Sequence, residues 1–164
     1  MILFKKNAFT LIELLVVVAI IGILAVVGVV SFSGYTESTK RNLTISNHNT
    51  ALKLFNVSLQ SCDISGKVTL LVGSNNQDKY TELNCASLGT QDLILKITEH
   101  LHNLGTKNPY RNNEGAFYPT SSFASVEGRT YIYRGSNDIV TFRSLYKDNN
   151  DNDVVIINTA TDRR

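Results

Sequence analysis

The feature that most constrains this chain is an uninterrupted apolar run near its amino terminus. No polar side chain occurs from Leu14 to Val30, and Lys5 and Lys6 stand just before the apolar stretch. As an α-helix, Phe9 to Phe32 would be about 36 Å long at about 1.5 Å per residue, more than a hydrocarbon core of about 30 Å. We therefore predict one membrane-spanning helix over 9–32, with the basic flank in the cytoplasm and the C-terminal part across the membrane.

An ordinary secretory signal peptide is the main alternative for this run. The apolar core of such a peptide is shorter, roughly 7–15 residues, and a small-residue cleavage site follows it. The run here is longer, and Val26-Val27-Gly28-Val29-Val30 contains no Ala-x-Ala site. The pattern therefore favours a span that is retained.

Glu13 is the one acidic residue inside the predicted span. A carboxylate at membrane depth costs about 2.5–3.5 kcal/mol on insertion scales. Two interpretations stay open. The acid lies near a helix start, where the macrodipole favours it, or a cation from another copy of the chain pairs with it.

The amino-terminal residues Lys5-Lys6-Asn7-Ala8-Phe9-Thr10-Leu11-Ile12-Glu13-Leu14-Leu15 and the apolar run that follows resemble the class III signal of type IV prepilins and type II secretion pseudopilins. The resemblance implies that residues 1–8 are a leader, which prepilin peptidase removes between Ala8 and Phe9, and that Phe9 is then N-methylated. It also implies that Glu13 pairs with the methylated amine of a neighbouring subunit during assembly. The chain departs from the family pattern twice: Ala8 stands where Gly is usual, and Val30 stands where a proline is common.

The resemblance further implies where such a protein resides and what it contacts. Before assembly it would be a single-pass protein of the bacterial inner membrane with its C-terminal region in the periplasm. Prepilin peptidase and the inner-membrane pilus assembly machinery would act on it there. After assembly it would be one of many copies in a helical, extracellular pilus.

The remaining sequence predicts an α+β pilin fold, in which a long helix packs on a small antiparallel β-sheet. Leu43, Ala51, Leu52, Leu54, Phe55 and Leu59 recur at helical spacing, so we expect the first helix to cover 9–60. A globular region, 61–164, would follow, with a connecting part over 61–108 and the sheet over about 115–160.

Local signals place further elements in that region. A helix is predicted from Thr90 to Leu104, with Thr90 as its N-cap, Leu93, Ile94, Ile97, Leu101 and Leu104 as its apolar face and Gly105 just past its end. A turn is expected over Gly73–Gln77. The predicted strands are Val68–Val72, Phe117–Val126, Thr130–Arg134, Asp138–Leu145 and Asp153–Thr159.

The chain has two cysteines, Cys62 and Cys85, and they do not form a metal-type CxxC pair. Because an export signal precedes them, an oxidising compartment is expected, which permits a disulfide. We therefore predict a Cys62–Cys85 bond.

The charge balance argues against a globally basic nucleic-acid binder. The whole chain carries 16 basic and 14 acidic residues, and loss of Lys5 and Lys6 with the leader leaves 16 − 2 = 14 of each. A local basic stripe stays open as a DNA contact, and its candidate residues are Lys107, Arg111, Arg129 and Arg134. The alternative is that these are charged outer faces of strands beside core tyrosines.

Residue patterns typical of enzymes are missing from the sequence: we find no nucleophile elbow, phosphate-binding glycine loop or defensible carboxylate pair. The three histidines, His48, His100 and His102, are predicted to be exposed. His100 and His102 lie two apart on a predicted helix and would face different directions. We therefore expect neither catalysis nor a tightly bound cofactor.

An oxygen-rich stretch, Asp148 to Asp153, is the one candidate metal site. Its carboxylates Asp148, Asp151 and Asp153 are of the type that binds Ca²⁺, and pseudopilins and some pilins hold Ca²⁺ near the C-terminus. The EF-hand pattern fails, since Asp153 stands in place of its glycine and Thr159 in place of its last acid. The alternative is a solvated turn.

Together these patterns predict the structural subunit of a type IV pilus, a surface filament for adhesion, motility or DNA uptake. The alternatives are a pseudopilin of a type II secretion system and a minor pilin that binds DNA. A single-span membrane enzyme or receptor whose leader only mimics a prepilin is the alternative from another class.

Overall fold

The computed structural model describes residues 9–73, 79–120, 126–148 and 150–162. The chain forms two compact units, Met1–Ser38 and Thr39–Arg164, and we call the second unit the head. Helix α1, Leu11–Ser65, begins in the first unit and ends in the head. The other elements of the head are β1 (Lys67–Val72), β2 (Lys79–Asn84), α2 (Thr90–Asn103), β3 (Lys107–Asn108), β4 (Arg111–Gly115), β5 (Phe117–Tyr118), β6 (Thr130–Arg134), β7 (Ile139–Lys147) and β8 (Asp153–Thr161).

The strands form one four-stranded sheet, ordered β5-β6-β7-β8, and two separate two-stranded ribbons, β1-β2 and β3-β4. Strands β6, β7 and β8 are antiparallel, whereas β5 runs parallel to β6 over two residue pairs. The predicted α+β plan, a long N-terminal helix with small antiparallel sheets, is confirmed and is consistent with the pilin fold. Within the described ranges, the departures from that plan are the short parallel pair and the strands β2, β3 and β4, which the sequence patterns did not predict.

Within the head, one face of α1 is buried against the sheet. Phe55 meets Phe142 of β7 edge to face, with ring centroids 5.6 Å apart, which is a favourable aromatic arrangement. The buried positions recur every three or four residues, as an α-helix with one core face requires. They are Thr44, His48, Ala51, Phe55, Ser58 and Cys62.

Helix α1 is longer than the sequence pattern predicts. Because Cys62 extends the buried stripe by one turn, the helix continues past residue 60 to Ser65. It ends at Gly66, whose φ of +69° suits a glycine at the C′ position and whose N–H donates to the carbonyl of Cys62.

Helix α2 forms where predicted, with two corrections at its ends. Its N-cap is Gly89 and not Thr90, because the Asp92 carboxylate accepts the Gly89 N–H at 3.1 Å while Thr90 is buried. The helix ends at Asn103, so Leu104 lies beyond the apolar face and is 54% exposed. Gly105 follows with a φ of +76°, as predicted for the residue past the helix end.

The predicted strands differ from the observed ones mainly in length. Val68–Val72 is confirmed within β1, the hairpin of β6 and β7 is present, and β8 runs two residues further than predicted, to Thr161. The strand predicted over Phe117–Val126 is limited to β5, because Pro119, which lacks an N–H donor, follows it directly. The rest of that prediction and most of the predicted Gly73–Gln77 turn lie outside the described residues.

Candidate assembly site

The first part of α1 exposes apolar side chains around its whole circumference. Among residues 11–29, which we call the apolar segment, the exposed fraction of large apolar side chains runs from 47% at Val17 to 82% at Leu11. An exposed apolar surface of this extent needs lipid or other protein surfaces as its surroundings. Within the described residues, α1 is the one helix long and apolar enough to cross a membrane by length and composition.

Glu13 lies in the first turn of α1, where it closes a capping box with Thr10. The Thr10 N–H and hydroxyl both donate to Oε2 of Glu13, at 2.8 and 2.7 Å, and the Glu13 N–H donates to the Thr10 hydroxyl at 3.3 Å. Each residue thus satisfies a backbone donor that the helix start leaves without an intrahelical partner. Both bonds to the carboxylate end on Oε2, and among the described residues no hydrogen-bond donor reaches Oε1.

This geometry is therefore compatible with both interpretations of Glu13, as an acid that stabilises the helix start and as the partner of a cation from another copy of the chain. The capping box holds the carboxylate beside the first residues of α1, next to the exposed Phe9. The pairing of Glu13 with the amine of a neighbouring subunit stays a prediction. Ala8 of the predicted cleavage site lies outside the described residues, so processing at Ala8–Phe9 stays a prediction.

Cys62 and Cys85 are joined by a disulfide, with Cα atoms 5.6 Å apart. Both are buried, and the bond connects the last turns of α1 to the segment after β2. The crosslink therefore fastens the β1–β2 ribbon to the end of the long helix.

Of the candidate calcium residues, Asp148 and Asp151 lie in the turn between β7 and β8, and Asp153 is the first residue of β8. Asp148 Oδ1 accepts the backbone N–H groups of Asn150 and Asn152 at 2.8 and 2.9 Å. The backbone hydrogen bond from Asn152 is the main reason that the pKa of Asp148 lies below its usual value. Since Oδ2 also accepts from the side-chain amide of Asn152, at 3.1 Å, both carboxylate oxygens are already used in closing the turn.

The other two acids of this turn lie around Lys147. Its Nζ is 2.9 Å from the Asp153 carboxylate and 3.9 Å from that of Asp151. Among the described residues, no three His, Cys, Asp or Glu side chains lie close enough together to hold a metal ion. Calcium binding by Asp148, Asp151 and Asp153 stays a prediction.

The four candidate DNA-contact residues do not share one environment. Arg111 and Arg129 both pair with Glu114, whose pKa is lowered chiefly by the hydrogen bond from Arg129. The guanidinium of Arg129 also lies 4.2 Å from the ring centre of Tyr118, a cation–π contact.

In the part of the chain that the structure describes, neither of the remaining two candidates pairs with Glu114, although Lys107 on β3 lies opposite Gly115 of β4. Arg134 pairs with Asp138 at the β6–β7 turn, and Lys107 is exposed. Three of the four cations therefore have an acidic partner in the head, and DNA binding stays a prediction.

The predicted exposure of the histidines is wrong for two of the three. His48 is fully buried and His100 is 8% exposed, whereas His102 is exposed. His100 accepts the Leu71 N–H on Nδ1 at 2.7 Å, and burial lowers its pKa. Both positions lie on helix faces that pack against strands, which the sequence pattern of those faces could have indicated.

The fold and the exposed helix define the class: an α+β protein whose N-terminal helix indicates membrane anchoring before assembly. A family model described as the prokaryotic N-terminal methylation motif matches residues 3–29. The chain therefore carries the class III signal of type IV pilins and pseudopilins, and this motif implies a structural protein that prepilin peptidase processes. The searches of curated proteins and of solved structures give no match.

Proposed function

We propose that this protein is the structural subunit of a type IV pilus. Prepilin peptidase cuts between Ala8 and Phe9 on the cytoplasmic side and methylates the new amine. The processed subunit resides in the inner membrane, with its head in the periplasm, until it is added to a helical filament of identical subunits. The observation that carries the proposal is the methylation motif over 3–29 on a helix whose apolar segment is exposed.

Assembly follows from the chemistry of that helix. The apolar segments exchange lipid for one another, which keeps apolar surface out of water in both states. Glu13 then sets the axial position, because its carboxylate is already costly in the membrane and is compensated when a neighbour's amino terminus lies opposite. The cation–carboxylate pair gives a geometric stop that apolar packing alone lacks.

Two features of the head favour a pilus over a secretion pseudopilus. Helix α2 lies between the long helix and the main sheet in the chain, and the Cys62–Cys85 disulfide closes the connecting part. A pseudopilin is usually more compact, commonly lacks a disulfide and holds Ca²⁺ near its C-terminus. The pseudopilus is the alternative that the experiment must distinguish.

The first experiment is mass spectrometry of the mature N-terminus from the native host membrane. We expect a chain that begins with methylated Phe9; an intact Met1, or cleavage after the apolar segment, would overturn the proposal. The second is imaging of surface filaments in a strain lacking this gene and in the complemented strain. Filaments lost and restored support the pilus, whereas unchanged filaments with a secretion defect support the pseudopilus.

A further inference from the structure

His48 connects α1 to the main sheet through both of its ring nitrogens. Nδ1 lies 2.8 Å from the hydroxyl of Ser144 on β7, and Nε2 lies 2.8 Å from the side-chain oxygen of Asn158 on β8. The Ser144 hydroxyl in turn lies 2.7 Å from that of Thr130 on β6. One imidazole thus links the helix with three neighbouring strands.

The partners determine the protonation state of this ring. The Asn158 oxygen only accepts hydrogen bonds, so Nε2 carries a proton and donates it. Nδ1 then accepts from the Ser144 hydroxyl, which itself accepts from Thr130. The arrangement satisfies every member when His48 is neutral, and burial lowers the pKa of His48, which favours that form.

The surroundings of His48 contain no countercharge among the described residues. The sheet presents two rows of side chains to the helix: Thr130, Ser144 and Ile156 in one, and Ile132, Phe142 and Asn158 in the next. On α1, the positions one turn before and after are Thr44 and Ala51. All of these are neutral.

The nearest titratable and charged groups on these elements are few. Tyr146 follows Ser144 on the same face of β7. On α1, Lys40 lies over the ring of Tyr110, and Lys53 is exposed. The positive charge of Arg41 helps to lower the pKa of Asp148. Of the acids on these elements, Asp162 lies four positions beyond Asn158, where its N–H donates to the Asp138 carbonyl, and Asp148 lies near Arg41. Burial and the hydrogen bond to Asn158, and not an acid, act on the pKa of His48.

We propose that His48 is an acid-sensitive latch, which fastens α1 to β7 and β8 while neutral and loosens them when it takes up a proton. Protonation turns Nδ1 into a donor, so the hydroxyls of Ser144 and Thr130 must rotate to reverse their hydrogen bonds. Rotation restores the geometry but leaves a buried cation without a partner, and such a charge is costly. Opening the helix from the sheet hydrates the cation.

The direction of the pH effect follows from linkage. The closed state holds the pKa of His48 below its usual value, so the open state binds more protons between the two pKa values. The closed state is therefore fully favoured above about pH 6.5 and weakens as the pH falls below that value. One proton changes the opening equilibrium by at most about tenfold per pH unit.

The test is hydrogen–deuterium exchange of the full chain in detergent micelles at pH 8, 7, 6 and 5. Protection factors are compared, since they divide out the intrinsic pH dependence of exchange. For the wild type, we expect protection of residues 44–62 and of β8 to fall severalfold between pH 7 and pH 5. In His48→Gln, which keeps a donor and an acceptor but cannot become charged, we expect that fall to disappear.

Two further variants keep the result decisive. His100→Gln removes the other buried histidine, and it should leave the pH response of α1 and β8 unchanged. His48→Met, of similar size but apolar, should also abolish the response if His48→Gln proves unstable. Constant wild-type protection from pH 8 to pH 5, or an undiminished response in both His48 variants, would overturn the proposal. If neither variant folds, an NMR titration of the His48 ring in the wild type, with no loss of protection as it protonates, would do the same.

Discussion

At the scale of single residues, Glu13 has two roles that substitutions can separate: it caps the start of α1, and it carries a negative charge. Glu13→Gln keeps an oxygen that accepts the Thr10 N–H, so the capping box survives while the charge is lost. Glu13→Ala loses both, and removal of this capping contact costs about 0.5–2 kcal/mol of local helix stability. We expect both variants to insert in the membrane and to be cleaved, but to yield few sheared surface filaments, measured as the filament-to-membrane ratio of the subunit on blots.

The comparison between the two variants decides which role matters. If Glu13→Gln assembles normally and Glu13→Ala does not, the cap and not the charge is what assembly needs. Normal filament yield from both would refute a role for Glu13 in assembly.

The cleavage site gives a prediction at the same scale. Ala8 is the small residue before the predicted cut, where the resemblance to prepilins implies that prepilin peptidase requires a small side chain. We expect Ala8→Leu to leave uncut precursor, seen as a larger band on a gel, and Ala8→Gly to be processed at least as fast as the wild type. Complete processing of Ala8→Leu would show that the cut lies elsewhere.

The residues of the candidate site differ in how far the sequence could reveal their contacts. Thr10 and Glu13 stand at capping-box spacing, and their contact is local, so a helix start there can be read from the sequence alone. His48 binds Ser144 and Asn158, which lie 96 and 110 residues away. No local pattern encodes such distant partners, although the helical spacing of His48 with Ala51 and Phe55 could have indicated that it is buried.

At the scale of elements, the turn before β6 depends on Gly128. Its φ is +77°, and a Cβ there would lie 2.2 Å from Oδ1 of the buried Asn108. Asn108 cannot easily move, because Oδ1 accepts the Tyr110 N–H and its amide donates to the Glu127 carbonyl, at 2.8 and 2.9 Å. We expect Gly128→Ala to lower the free energy of unfolding by about 3 kcal/mol or more, measured by urea unfolding.

Gly66→Ala is the matched control for that substitution. Gly66 has a similar φ of +69°, but a Cβ added to it would meet no atom within 4 Å. Only backbone strain should remain, about 1 kcal/mol. Equal losses in the two variants would mean that the contact with Asn108 adds nothing.

The disulfide gives a second prediction for an element, the β1–β2 ribbon. Cys62 and Cys85 are 23 positions apart, and closing a loop of that length stabilises a fold by about 3 kcal/mol in the chain-entropy model. We expect the double variant Cys62→Ala/Cys85→Ala to lose about that much in urea unfolding, and β1 and β2 to lose exchange protection first. An unchanged midpoint would show that packing alone holds the ribbon.

Elements could be predicted from the sequence where the signal was local and strong. The apolar periodicity predicts α1 and α2, and runs of β-branched residues predict β1, β7 and β8. The ends of the elements were predicted less accurately. The N-cap of α2 is Gly89, whose N–H donates to Asp92, although Thr90 has the more typical capping side chain. The brief parallel pairing of β5 depends on tertiary contacts, which no local pattern reports.

At the scale of the whole molecule, the two compact units predict that anchoring and folding can be disturbed separately. Phe55 lies fully buried in the head against Phe142, so Phe55→Ala should lower the free energy of unfolding by about 3–5 kcal/mol. Val57 lies on the same helix but is 58% exposed. We expect Val57→Ala to change the free energy of unfolding by less than about 0.5 kcal/mol. Neither change should affect cleavage at Phe9.

Combining one change from each unit gives the sharpest form of this prediction. Glu13 belongs to Met1–Ser38 and Phe55 to Thr39–Arg164. Distant sites that share no partner combine additively within about 0.3–0.5 kcal/mol. The double variant Glu13→Ala/Phe55→Ala should therefore unfold in urea like Phe55→Ala alone, because the head's transition does not involve Glu13. A coupling above about 1 kcal/mol would mean that the amino-terminal unit and the head fold as one cooperative body.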